Sequence, residues 1–295
     1  MNKYSIAQVE ALTGIKGHTI RVWERRYSFL DPERTSTNIR YYSDQELRKL
    51  LNVAILNKNG IKISKIDKMS EAEINEAILD LFNQSGPELS EEINKLTLCM
   101  LDMDEIEFER LFQKQLVRFG LIKTITEVIY PFLKHVGVLW TTNKAMPAHE
   151  HFVSNLIRQK IIAAIDSLPQ APVDARSILL FLSEDEDHEI GLLLASFIAK
   201  DLGWRVYYLG QNVPTDNVAE VYEFKKPSYL LTLLTAPVTK RYEKHINELR
   251  SKIKAPIIAS GNPENYKHFE GELGEMIFLS SPDDLIAFLQ QNRRN

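Results

Sequence analysis

The chain reads as a multidomain protein of class α plus α/β: an N-terminal winged helix-turn-helix, a central helical bundle and a C-terminal parallel sheet wound on both faces by helices. Three observations predict this. Two short helical patterns hinge at Gly14 near the start, residues from about 76 to 165 keep helical periodicity without strand alternation, and apolar runs alternate with helical stretches beyond Pro169-Gln170-Ala171-Pro172. The boundaries these shifts suggest are 1–75, 76–170 and 171–295. A length of 295 residues has room for two or three domains, and a composition 44% hydrophobic and 26% charged is that of a folded chain. No apolar run approaches the roughly 20 residues a bilayer requires, and the opening MNKYSIAQVE has no signal-peptide core, so a cytoplasmic protein away from membranes is expected. A single cysteine, Cys99, excludes an internal disulfide and a thiolate zinc site, and points to a small apolar core residue.

In the first element, Ser5 stands as a helix cap before Ile6, Val9 and Leu12; Thr13-Gly14-Ile15 turn the chain, and His18 to Arg26 resume helical spacing. After Pro32 a Thr/Ser-rich passage leads to Ile39-Arg40-Tyr41-Tyr42, the length of a small β-wing. Ser43-Asp44-Gln45-Glu46 is a capping box, from which Leu47, Leu50, Leu51 and Ile55 define an amphipathic helix ending near Gly60. Asn83 to Ser90, with Ser85, Gly86 and Pro87, reads as a break. Leu111, Phe112, Leu116, Phe119, Ile122, Ile125, Val128 and Ile129 then fit the apolar stripe of a bundle. The runs Ile178 to Leu182, Trp204 to Leu209, Tyr229 to Leu234, Ile257 to Ala259 and Met276 to Leu279 are spaced for parallel crossovers, which predicts a Rossmann-like, flavodoxin-like sheet.

Charge separates the head from the rest. Residues 1–70 hold 13 Lys or Arg against 7 Asp or Glu, about +6, leaving about −10 elsewhere for an overall −4. Arg21, Arg25 and Arg26 lie on the second helix and Arg40 and Tyr41 on the wing, where planar guanidinium groups can grip phosphate or guanine. Trp23 at helical spacing reads as core, and Arg26 and Arg40 read equally as solvated or as paired with Glu24 and Glu33. The run TGIKGHTIRVWERRYSFLDPERTSTNIRYYSDQEL resembles the winged helix of MerR-type transcription factors, over about residues 3–70. That resemblance implies a recognition helix in the major groove, promoter DNA as partner, a homodimer or higher homo-oligomer, and contacts from Thr19, Arg21, Arg25, Arg26, Arg40 and Tyr41. RNA polymerase or a regulatory protein is the further partner such a role implies.

The segment Ser183 to Gly191 leaves the carboxyl end of the first strand of the sheet, where ligands sit in open α/β folds. Its His188 has a carboxylate, Glu186, two residues before it, a pairing that suits a metal-binding imidazole; alone, such a histidine is more often a surface residue. Glu186-x-His188-x-x-Gly191, together with Trp140 and Glu150-His151 in the bundle, resembles the cobalamin-binding half of CarH-like regulators. The resemblance implies adenosylcobalamin as cofactor, with the bundle over the upper corrin face and the α/β domain under the lower. His188 is then the axial cobalt ligand, Glu186 its orienter and Gly191 a point of close approach, with Trp140, Glu150 and His151 around the adenosyl group. Leu209-Gly210-Gln211-Asn212-Val213-Pro214 matches the family's passage lining the nucleotide tail, which implicates Gly210 and Val213. Thr232 stands for the usual serine and Ser260, before Gly261, for a usual glycine, both along the tail channel. Thr141 replaces the histidine that follows the tryptophan in light-responsive members, so their bis-histidine adduct is not expected.

The expected function is a DNA-binding transcription regulator whose C-terminal half senses a ligand, adenosylcobalamin, and thereby controls oligomerisation and operator binding. The alternative is a regulator of the same type that has given up cobalamin and uses that half for oligomerisation or a protein partner. An enzyme is disfavoured, since the chain offers no substrate barrel and no Gly-rich phosphate loop after Leu182.

Overall fold

The computed structural model describes residues 4–35, 38–82, 87–142, 144–184, 186–235, 240–261, 265 and 276–293. The chain divides into two compact units, 1–153 and 154–295. The boundary falls inside a helix, whereas the sequence suggested breaks at 75/76 and 170/171.

In the first unit α1 (Ile6–Thr13) and α2 (Gly17–Arg26) form the helix-turn-helix. Ser5 and Gln8 close a capping box at the start of α1, and Gly14 ends it at φ 71°, a left-handed conformation that a side chain would strain. The wing is two short antiparallel strands, β1 (Glu33–Arg34) and β2 (Arg40–Tyr41); Ser36 and Thr37 lie outside the described residues. Ser43 and Glu46 cap α3 (Asp44–Lys58) reciprocally, satisfying two orphan backbone donors. Val9, Ile20, Leu30, Tyr42, Leu47 and Leu50 form the head core. Each such side chain, fully buried, contributes about 1.5–3 kcal/mol, which sets the angle between helices and wing.

The other face of α3 packs differently. Val53 and Leu56 join Ile66 of α4 (Ile63–Ile66), Ile78 of α5 (Glu71–Phe82) and Val138, a residue from 60 positions further on, in a second cluster. The expected break at Asn83 to Ser90 is outside the described residues at 83–86, and Pro87 to Ser90 open α6 (Pro87–Asp102). The bundle continues through α7 (Glu105–Lys123), a π-helical segment (Thr124–Ile129), α8 (Tyr130–Thr141) and α9 (Pro147–Asp166), which runs into the second unit. Of the predicted stripe, Leu111, Phe112, Ile125, Val128 and Ile129 are buried and Leu116, Phe119 and Ile122 half-buried. Gly120, at φ 74°, kinks α7 between these positions. Cys99 is buried, as expected.

The second unit is a five-stranded parallel sheet of β3 (Ser177–Ser183), β4 (Arg205–Val213), β5 (Tyr229–Leu234), β6 (Ile257–Gly261) and β7 (Ile277–Leu279), in the order β4-β3-β5-β6-β7. Helices α10 (Ile190–Asp201), α11 (Thr215–Lys225), α12 (Lys240–Lys252) and α13 (Pro282–Gln291) follow β3, β4, β5 and β7 in turn. This is the flavodoxin-like order, whose switch point lies between β3 and β5, where successive crossovers leave for opposite faces. Gly261 has no space for a side chain: a Cβ would stand 2.4 Å from the Leu234 carbonyl oxygen. Among the described residues no helix is long and apolar enough to cross a membrane.

Candidate functional site

On the head, Arg21 and Arg25 are one helical turn apart and both exposed on α2, whose Gly17 and Ile20 are buried. Arg26 is exposed with its guanidinium 5.6 Å from the Tyr27 ring centre, and Thr19 is half-buried. Arg40 is committed to another partner: its Nε donates to Glu24 at 2.7 Å, and the same carboxylate accepts from the Tyr42 hydroxyl. Burial, then the Glu24 hydrogen bond, pushes the Tyr42 phenol up. Tyr41 donates to Glu33 across the wing. Glu24, only 7% exposed at its side chain, is thus the post that ties the wing to the second helix. The sequence paired Arg40 with Glu24 as one option; it gave no sign that Tyr42 shares the carboxylate.

Residues assigned to the upper side of a corrin occupy the end of α8 and the start of α9. Glu150 and His151 are neighbours on α9, with the His151 Nδ1 3.1 Å from a Glu150 oxygen. Trp140 is turned toward the head: it packs on the head core, under Arg48, whose guanidinium carbon is 5.6 Å from its ring centre. Thr141 is buried, its carbonyl accepting from Asn52 at 3.0 Å and its hydroxyl donating to the Val138 carbonyl at 2.9 Å. Position 141 is therefore closed into a seam, independently of its being a poor metal ligand.

The strongest local constellation lies at the switch point of the sheet. His188 stands in the loop after β3 with its side chain exposed, and its Nδ1 is 2.6 Å from Glu186 Oε1. The His188 backbone N–H donates to that oxygen at 2.9 Å, which folds the loop back on itself. Thr235, just beyond β5, donates its hydroxyl to the other carboxylate oxygen and lies 3.5 Å from His188 Nδ1. Burial raises the Glu186 carboxyl, but hydrogen bonds from His188 and Thr235 outweigh it and hold the group below the usual carboxylate range. Glu186 is therefore an anion at neutral pH, fixing the imidazole through one nitrogen. Thr235 escaped the sequence reading because it is 47 residues from His188; β3–β5 pairing alone brings them together.

Around this trio the other predicted residues separate. Gly191 is the second residue of α10. Gly210 and Asn212 bulge the end of β4 with positive φ, Val213 pairs with Ser183, and Asn212 reaches Asp187 beside His188. Thr232 is fully buried within β5, and Ser260 and Gly261 end β6 opposite Leu233 and Leu234. Glu189, at the entrance to α10, accepts from the Tyr208 hydroxyl at 2.9 Å and pairs with Arg158. This clamp was not anticipated from the sequence.

Residues 4–73 match the MerR HTH family regulatory protein and residues 92–164 the B12 binding domain. Two curated relatives from Myxococcus xanthus are each 27% identical to the chain. The HTH-type transcriptional repressor CarH aligns over 85% of the chain and 85% of its own length, and the HTH-type transcriptional repressor CarA over 98% and 96%. Among solved structures, the monomethylamine corrinoid protein of Methanosarcina barkeri superposes with a TM-score of 0.53 at 18% identity, covering 68% of this chain and 98% of its own, a likeness of fold.

Proposed function

From the premise that this chain is a MerR-type transcription regulator carrying a B12-binding region, we propose that its C-terminal half senses adenosylcobalamin and that occupancy sets operator affinity by changing how protomers associate. The relatives that align along the chain are named as transcriptional repressors, in keeping with a regulator rather than an enzyme. The observation that carries the ligand reading is the Thr235–Glu186–His188 trio at the switch point. A metal-binding histidine characteristically gives its second nitrogen to a carboxylate, which sets tautomer and ring direction, and Glu186 makes that contact at Nδ1. Coordination then falls to Nε2 of His188. A neutral His188 imidazole would hold the cobalt of a bound cobalamin, which would supply the metal centre of the sensor.

The remaining residues take supporting roles in this reading. Gly210 and Val213, in the bulged end of β4, and Thr232, Ser260 and Gly261 belong to the nucleotide-tail side, Gly191 allows close approach beside His188, and Trp140, Glu150 and His151 belong to the upper ligand. Thr19, Arg21, Arg25, Arg26, Arg40 and Tyr41 serve the DNA, with Arg21 and Arg25 making the direct contacts and Arg40 acting through the wing it anchors to Glu24. The competing reading, a regulator that no longer takes cobalamin, draws on the seating of Trp140 against the head and the closed position of Thr141. Incubation with adenosylcobalamin followed by gel filtration separates the two. Protein-associated corrin absorbance, reduced in His188→Ala, supports the sensor; wild-type protein emerging without corrin at micromolar concentrations refutes it.

A further inference from the structure

The buried residues of α2 are Gly17 and Ile20, and Glu24, the carboxylate that anchors the wing, lies on the same side of the helix. Val22, in the middle of α2, is 41% exposed. Successive residues of an α-helix turn by about 100°, so, measured from Ile20, Gly17 lies at about 60°, Glu24 at about 40° and Val22 at about 200°. Val22 therefore points almost diametrically away from the buried side. The other exposed residues of the helix are basic: Arg21 at about 100°, Arg25 at about 140°, His18 at about 160° and Arg26 at about 240°. An apolar side chain thus stands at the crest of a surface otherwise built from basic groups. Solvation gives no reason for it, since a β-branched residue is a weaker helix former than the Lys, Glu or Arg that suit an exposed crest. The crest is the part of a recognition helix that goes deepest into a major groove. There the base edges offer hydrogen-bond donors and acceptors and one apolar feature, the C5-methyl group.

We propose that Val22 is a specificity-determining residue of the DNA interface: its methyl groups read the C5-methyl of a pyrimidine in the major groove, between Arg21 and Arg25 on one flank and Arg26 on the other. The inference rests on the reading of α2 as the helix that enters that groove. Unmodified DNA carries the C5-methyl only on thymine, and 5-methylcytosine presents the same group. Branching at Cβ holds the Val22 χ1 almost to one rotamer in a helix, so its methyl groups are presented in a fixed direction with little ordering left to pay on binding. Ile20 sets that direction, because it locks the rotation of α2 into the head core with Val9, Tyr42, Leu47 and Leu50. An apolar contact removes water from both partners and displaces no counterion, so it adds discrimination between sequences without adding salt dependence. The arginines supply the opposite mixture, affinity that falls with salt.

The test uses the full chain and a duplex site selected with it from random DNA. Each thymine of the site is replaced singly by deoxyuridine, which deletes the methyl group and keeps every hydrogen-bonding edge, and each cytosine is separately replaced by 5-methylcytosine. Burying one methyl group is worth roughly fourfold in affinity, so wild type should lose about that factor at a thymine position where Val22→Ser binds thymine and deoxyuridine alike. Val22→Ile should keep the discrimination. The slope of log affinity against log salt should be unchanged in Val22→Ser, which shows that the helix still docks, and reduced in Arg21→Ala. A cytosine whose methylation strengthens wild type by a similar factor, with the gain lost in Val22→Ser, supports the same contact and names 5-methylcytosine as its source. Flat scans of both kinds in wild type, or a thymine preference undiminished in Val22→Ser, overturn the proposal while the arginine variants still report on the recognition helix. A chain that selects no site, or one whose binding Arg21→Ala and Arg25→Ala leave unaltered, overturns the reading of α2 and the proposal with it.

Discussion

Glu24→Ala should loosen the head far more than the loss of one surface charge would. The carboxylate accepts from Arg40 Nε at 2.7 Å and from the hydroxyl of Tyr42, a residue with no exposed surface. Alanine leaves that hydroxyl buried without its acceptor, a cost of about 1–3 kcal/mol, while the half-buried Arg40 regains water and loses about 1 kcal/mol of pairing. The sum, about 2–4 kcal/mol, multiplies the opening constant of the head by roughly 30 to 700, at about 1.4 kcal/mol per factor of ten. Glu24→Gln keeps an oxygen and an N–H in place and should cost only about 1 kcal/mol. Hydrogen-deuterium exchange across Ile6–Lys58 measures the opening directly, and operator titration reports the wing. Adding Tyr42→Phe to Glu24→Ala removes the orphaned hydroxyl and should recover about 1–2 kcal/mol, a coupling that distant sites would not show. Equal protection in wild type and Glu24→Ala, or no recovery in the double variant, would refute the shared-carboxylate account.

Four further outcomes follow from the geometry. Arg21→Ala and Arg25→Ala should each weaken operator binding and reduce the slope of log affinity against log salt by about 1 if they touch phosphate; unchanged slopes would remove them from the interface. Glu186 has a folded pKa below its ordinary 4.5, so the stability it supplies is complete above that value and is lost as pH falls through the folded value. The gap in melting temperature between wild type and Glu186→Gln should therefore close below about pH 4.5, and a gap constant down to pH 3 contradicts the assignment. Thr235→Val removes a donor from the same carboxylate and should raise its titration midpoint and broaden the His188 ring resonances, whereas unaltered spectra would detach Thr235 from the trio. Gly261→Ala sets a methyl group 2.4 Å from the Leu234 carbonyl and should cost about 3 kcal/mol, read as a melting transition lower by roughly 10 °C; an unshifted melt would show that β5 and β6 yield freely.

What could be read from the sequence follows the range of the forces involved. The capping boxes at Ser5 and Ser43, the Gly14 turn, the wing, the alternation of strands and helices and the Glu186–His188 pair are all set by residues within a few positions of each other, and each stands in the structure near where its pattern placed it. In the bundle the apolar stripe is buried on both sides of Gly120, with Leu111 and Phe112 before it and Ile125, Val128 and Ile129 after it, but the left-handed φ that kinks α7 there was not legible from spacing. Composition suggested a boundary near residue 75; α5 crosses that point, and α8 contributes Val138 to the cluster formed by α3, α4 and α5.

The sequence by itself determined the local elements, the basic head, the parallel sheet and the identity of the histidine at its carboxyl edge. Tertiary structure alone decided which distant groups share a bond: Tyr42 with Arg40 on Glu24, Thr235 with His188 on Glu186, and Arg48 over Trp140. The reason is physical. Caps, turns and periodicity are energies of neighbouring residues, whereas a carboxylate's second partner or an indole's packing surface is fixed only when strand order and helix packing bring together atoms separated by 18, 49 or 92 positions.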